Sequence, residues 1–303
     1  MLAEIAVDAR RAAFGDRPDA DLWASADRGS PRERWLTAVA WGGAGRYAAA
    51  AGLLRPLIAG QDDLLAGLAG ATLAAHRRQL GAHEAARRLD SAALARLTNT
   101  RAPAEADPDD ADLGGARSDV LLGLAADAVG LGRVGEARRL HAAAERVTGG
   151  WRTRVRTGWV AAEIELTANR PDLAVHWAER AAGHARMAPS TRHRVKSALV
   201  LSAALVATDT TVGRDRAAGL LQEALSVSLS RGIFSLSWPC ALLLAELAPD
   251  RARENRKIAS NALTCCFFGA DSEMRRLAQA SPWVPTHLVR FGEPTRTSGW
   301  LAS

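Results

Sequence analysis

The chain is predicted to be all-α, a right-handed α-solenoid of about six helical hairpins. Three observations predict this: a turn-then-alanine phrase that recurs along the chain, a core supply poor in aromatics, and almost no strand patterning. The phrase reads Gly45-Arg46-Tyr47-Ala48-Ala49-Ala50, then Gly81-Ala82-His83-Glu84-Ala85-Ala86, then Gly132-Arg133-Val134-Gly135-Glu136-Ala137. Asn169 takes the turn position in a fourth copy ending at Ala174, and Gly213 opens a looser fifth ending at Ala218. The closing alanines lie 36, 51, 37 and 44 residues apart. A unit of that length means helix pairs that bury their apolar faces against neighbouring pairs. Hydrophobic residues make up 48% of the 303 and aromatics only 5%, so the core must be built from Ala, Leu and Val. Small side chains at crossing points let helix axes approach to about 8–9 Å.

Each element follows from local signals. Residues 1–30 are expected to form an N-terminal helical cap; the start lacks the charge-then-apolar order of a signal peptide. Ser30 as cap and Pro31 at the first helical position open the next helix, which Gly42 to Gly45 end. The residues after Gly45 form its partner, with Tyr47, Ala50, Leu53, Leu54 and Leu57 on one face. Later pairs are expected at 63–80 with 83–97, 118–131 with 134–147, 152–168 with 171–187, 190–208 with 214–230, and 234–247 with 250–268. A short closing helix over 271–280 and a poorly ordered tail from Ser281 complete the reading, with repeats over 31–268 and the closing segment over 269–303.

The long spacing of 51 is assigned to an insertion over 98–116, which carries Pro103, Pro108 and the acidic run from Glu105 to Asp112. Proline stops helices and clustered like charges repel, so a solvated linker is expected there. Removing about 15 residues restores the repeat length.

Charge is uneven. Residues 1–150 carry 19 Arg and Lys against 20 Asp and Glu, whereas 151–303 carry 20 against 13, out of a net +6. A basic half steers acidic protein, phosphate or nucleic acid toward itself. Of the 39 basic residues only Lys196 and Lys257 are lysine, a bias also explained by a G+C-rich genome. No stretch has the length of a membrane span, and Cys240, Cys265 and Cys266 have neither zinc nor redox spacing. Reduced, buried thiols in a cytoplasmic protein are the expectation.

At the Trp35 or Trp41, Gly45, Tyr47 and Ala50 positions, and again at Gly132, Val134 and Ala137, the chain resembles the tetratricopeptide-repeat superfamily. That resemblance covers about residues 31–268 and implies an array whose first helices line a concave binding face. The units here run longer than the family's, and the family's repeat-end proline and leucine–glycine pair are mostly missing. A divergent bacterial scaffold or ligand-sensing relative is what this implies.

Motifs for catalysis are absent. The seven histidines are scattered, and no His-Glu-x-x-His run, Gly-x-Ser-x-Gly elbow or Walker loop occurs. Gly130 to Gly135 spells Gly-x-Gly-x-x-Gly, but a helix rather than a strand precedes it, so it is read as a repeat turn. The acidic run lacks the glycine and terminal glutamate of a calcium loop. No enzyme, cofactor or metal is expected. Two basic clusters remain: Arg152, Arg154 and Arg156 with Trp151 and Trp159, and Arg192, His193, Arg194 and Lys196. Near the starts of neighbouring first helices they form two rungs of an electropositive groove, or solvated helix faces. Guanidinium groups grip carboxylates and phosphates in a forked way. Trp300 in the tail is an aromatic anchor for docking on a partner, or packs back on the array.

The expected function is therefore non-enzymatic capture of a protein or acidic peptide by a scaffold or regulatory adaptor. A sensor for a small anionic ligand or signalling peptide is the alternative. Nucleic-acid association through the basic half stands third, since no stacking strip or recognition helix appears. The sequence leaves the oligomeric state open.

Overall fold

The computed structural model describes the backbone of residues 2–98, 100 and 106–290. Every regular element among them is helical: α1 (Leu2–Phe14), α2 (Trp23–Arg28), α3 (Pro31–Gly43), α4 (Tyr47–Ile58), α5 (Asp63–Gln79), α6 (His83–Thr98), α7 (Leu113–Gly130) and α8 (Val134–Glu145), then α9 (Trp151–Thr167), α10 (Pro171–Arg186), α11 (Thr191–Ala207), α12 (Thr211–Ser230), α13 (Phe234–Leu247), α14 (Ala252–Phe268) and α15 (Ser272–Ala280). Short 3-10 turns lie at Pro249–Arg251 and Thr286–Leu288. None of the described helices is long and apolar enough to cross a membrane.

Local chemistry sets the helix ends. At α3 the Ser30 hydroxyl accepts from the Glu33 amide while the Glu33 carboxylate accepts from the Ser30 amide, a reciprocal cap. At the other end, the Arg46 amide donates back to the Trp41 carbonyl at 2.9 Å around Gly45, whose φ is +77°. The same left-handed closure recurs at Gly81 and Gly132, with Arg133 donating to Ala128 at 2.7 Å. Asn169 adopts it with φ of +55° and Arg170 donating to Glu165 at 2.9 Å, so the repeated phrase is a helix-stop signal with physical content.

The fifth copy falls elsewhere. The left-handed residue there is Asp209, not Gly213, and the Thr210 side chain caps α12. Gly213 sits inside that helix at a buried position, and Ala217 rather than Ala218 is fully buried. A further closure of the same kind, at Gly232, joins α12 to α13.

Neighbouring helices pack in pairs, α3 with α4, α5 with α6, α7 with α8, α9 with α10, α11 with α12 and α13 with α14, and each pair also meets the next. Ala50, Ala86, Ala137 and Ala174 are all completely buried. Glycines add to the close approach: a methyl group on Gly158 of α9 would lie 2.8 Å from the Ala181 side chain of α10. Trp35 and Trp41 are in the core, whereas Trp159, Trp177 and Trp238 are half-buried.

The two ends of the array meet. The Ala48 amide donates to the Gly269 carbonyl at 2.7 Å, and Tyr47 packs with Leu263, Cys266 and Phe267. The Thr191 amide donates to Gly15 at 3.0 Å, and Arg192 reaches the Val39 carbonyl. Residues 281–290, expected to be poorly ordered, instead pack down: Val284 and Val289 are buried, the Ser281 hydroxyl donates to the Gly81 carbonyl, and the Trp283 indole donates to Gly130. Apolar side chains and free helix-end carbonyls supply the reason. Trp300 and the rest of 291–303 lie outside the described residues. Of the cysteines, Cys240 and Cys266 are buried as expected, but Cys265 is exposed.

Candidate functional site

The acidic run is a structural clamp rather than a solvated linker over its described part, 106–112. Asp109 and Asp110 are buried. Arg10 donates to both Asp107 and Asp109 at 2.6 Å, and Arg32 donates to Asp107 at 2.7 Å. Asp110, with φ of +54°, turns its carboxylate onto the Gly150 and Thr153 amides and so caps α9, whose own N-cap Gly150 has no side chain. Repulsion within the run is overcome by arginines and amides from three other segments.

Those contacts redirect the first basic cluster. Arg152 is 4% exposed and engaged through all three nitrogens: Nε donates to the Asp109 carbonyl, Nη2 to the Asp110 carbonyl and Nη1 to Asp119 at 2.6 Å. Arg156 pairs with the other Asp119 oxygen at 2.9 Å. Arg192, from α11, is half-buried and donates to the Val39 carbonyl; burial, then the charges of Arg156 and Arg152, lowers its pKa to about 10. Arg194 is exposed and bonds locally to the Ala188 carbonyl and Thr191. Lys196 pairs with Glu163 at 3.1 Å and lies 5.8 Å from the Trp159 ring centre, and the Trp159 indole donates to Ser197. The six basic residues therefore do not form two rungs of one open groove. Helical periodicity splits them, because positions 152 and 156 share the inner face of α9 while 154 faces out.

The interior holds a second charged cluster one layer away. Arg78 of α5 reaches Asp127 of α7 at 2.8 Å and Asp90 of α6, and both carboxylates are completely buried. Burial pushes the Asp90 carboxyl up to about 8, with neighbouring Asp127 adding to the rise and Arg78 opposing it. The folded value thus exceeds the ordinary 3.8, so the neutral carboxyl favours folding and that contribution fades as pH climbs toward 8. Burial drives His76 the other way, to about 3, which costs stability only below its ordinary 6.5. Between those limits Asp90 sets the slope. Thermal melts from pH 6.5 to 8 should fall for the native chain and flatten for Asp90→Asn; equal slopes would contradict the assignment.

Arg154 opens onto a different feature, a cleft of about 200 Å³ where α8 ends and α9 and α10 begin to cross. Arg154, Arg180 and His184 line it with Trp177, Thr153, Thr157 and Glu145. Neither arginine has a carboxylate within ion-pair distance among the described residues; Arg180 lies 4.5 Å from the Trp177 ring centre, a cation–π contact. The only carboxylate in the lining, Glu145, is 3.5 Å from His141. Burial, then the charges of Arg154 and Arg180, lowers the His184 pKa. Thr153 is 5% exposed and its hydroxyl finds no hydrogen-bond partner. Sequence reasoning found Arg154 but missed Trp177, Arg180 and His184. Their spacing of three and four puts them on one face of α10, a second helix, whereas the repeat resemblance assigns the binding face to first helices.

Fold and lining together define the class: an all-helical, repeat-like array with tightly packed neighbouring pairs and a cationic cleft between two of them. No protein-family model matches the chain, and a search of curated proteins finds no significant match.

Proposed function

We propose that the chain is a non-enzymatic binding protein, a scaffold or regulatory adaptor, that captures an acidic protein segment in the α8–α10 cleft. In this reading its helix pairs are six hairpins of a right-handed, tetratricopeptide-like solenoid. The observation that carries it is the convergence of Arg154, Arg180 and His184 beside an aromatic wall, with Glu145 the one carboxylate in the lining and neither arginine within ion-pair distance of it. A forked guanidinium grips a carboxylate through two parallel hydrogen bonds, and Trp177 offers apolar contact to the adjoining chain. Recurrent left-handed turns at Gly45, Gly81, Gly132 and Asn169 support the repeat reading.

The test is fluorescence anisotropy with a labelled Glu-rich peptide at low salt. Charge reversal in Arg154→Glu/Arg180→Glu should weaken binding by roughly tenfold or more, as expected for loss of hydrogen bonds to charged groups. Undiminished affinity would remove the reading. Stronger binding of duplex DNA than of the peptide, falling steeply with salt, would instead favour nucleic-acid association. The sensor alternative, a small anionic ligand, is favoured by one separate observation: Arg192 has no carboxylate within ion-pair distance among the described residues.

A further inference from the structure

The interior beside α9 and α11 carries more positive charge than its own acids balance. Arg78 is taken up by Asp90 and Asp127. Three arginines remain, Arg152, Arg156 and Arg192, and the carboxylate among them is that of Asp119. Arg152 donates to one of its oxygens at 2.6 Å and Arg156 stands 2.9 Å from the other without an aligned hydrogen bond, and Arg192 has no carboxylate within ion-pair distance among the described residues. Arg192 makes one weak hydrogen bond, from Nη1 to the Val39 carbonyl at 3.3 Å, and its Cδ rests against Gly43. Two histidines feel its charge: His76 from α5, held neutral by burial and by Arg192 and Arg77, and His193 from α11, held neutral by burial and by Arg192, Arg152 and Arg156. His193 is further fixed by Ser190 at 2.8 Å and by stacking on Trp159.

Arg192 is half-buried, and a partly desolvated charge without an ion-pair partner is costly; a histidine that stays neutral cannot supply one. Arg156 keeps 24% of its side-chain surface accessible, so the cluster is reachable by a small solute. From this geometry we infer that Arg192 and Arg156 form a binding site for a compact oxyanion, a phosphate or carboxylate group, inside the array. Arg192 has guanidinium donors to spare, and Arg156 adds a second cation from the facing helix. Two guanidinium forks on one oxyanion are a standard recognition geometry, and the surrounding low-dielectric wall strengthens it. The site is independent of the α8–α10 cleft, whose arginines face outward.

The experiment is a thermal-shift titration of the full chain with inorganic phosphate, and separately with citrate, against sodium chloride at matched ionic strength. The native chain should show a saturable rise in Tm with at least one of the two anions. Which one responds separates the phosphate from the carboxylate source. Arg192→Met should lose that rise, with the apparent Kd weakened roughly tenfold or more, whereas Arg154→Glu/Arg180→Glu should keep it. In anion-free buffer Arg192→Met should melt at the same temperature as the native chain or higher, because an uncompensated charge has been removed. A non-saturable rise shared by Arg192→Met is general exclusion of a kosmotropic salt and overturns the site. So does a native chain that responds to neither anion, or an Arg192→Met that is destabilised without anion.

Discussion

Arg78→Met is expected to lower the free energy of unfolding by about 3–5 kcal/mol, the range for breaking a buried ion pair from one side. Arg78 stands on α5 and reaches α6 through Asp90 and α7 through Asp127, so one guanidinium ties three helices together. Both carboxylates are completely buried. Without the cation they face each other in a low-dielectric interior, and neither has water to turn to. One escape is protonation, so the loss should shrink as pH falls. Urea unfolding followed by circular dichroism at pH 7.5 and pH 5 measures this. A loss below about 1 kcal/mol at pH 7.5 would mean the cluster is solvated in a way its burial does not suggest. The triple variant Arg78→Met/Asp90→Asn/Asp127→Asn should recover most of the stability, because buried charge is then absent rather than orphaned. Gly123 makes repair harder: a side chain there would collide with Asp90 and Arg78, so the cluster is built into a close helix contact.

How much of this could be read from the sequence depended on whether the determining partners were local. Helix ends were legible because their signals are local. Ser30 with Glu33, and glycine or asparagine at 45, 81, 132 and 169, act within six residues of the bonds they close. Asp209 was missed for a local reason too: Gly213 sat nearby and glycine is the usual left-handed residue, yet here Asp209 takes the turn and Thr210 caps the following helix. What was not legible was long-range. Reading Asp107 to Asp112 as repelling charges ignored Arg10, Arg32 and Arg152, which lie tens of residues away and reverse the sign of the local electrostatics. The same long-range contacts bury Arg152, which its local pattern alone reads as a groove or solvated-face residue. The cleft was half legible: Arg154 was singled out, but Arg180 and His184 were invisible until α10 was seen to face it.

The difference between neighbouring arginines makes the second large prediction. Arg152→Met should cost about 3–5 kcal/mol, whereas Arg154→Met, two residues on, should fall within about 0.5 kcal/mol of the native chain. Arg152 is 4% exposed and all three of its donor nitrogens are engaged, two on backbone carbonyls of the acidic clamp and one on Asp119. Methionine fills much of the same volume, so the cost comes from orphaned acceptors rather than a cavity. Asp119 would retain Arg156, which limits the loss on that side. The carbonyls of Asp109 and Asp110 have no such reserve. Their release should loosen the whole clamp, because Asp110 holds the α9 amides from the same short turn. Limited proteolysis should therefore cut within 106–112 faster in Arg152→Met than in the native chain, while Arg154→Met keeps the native pattern. Equal stability of the two variants would show that Arg10, Arg32 and the α9 amides hold the acidic segment without Arg152.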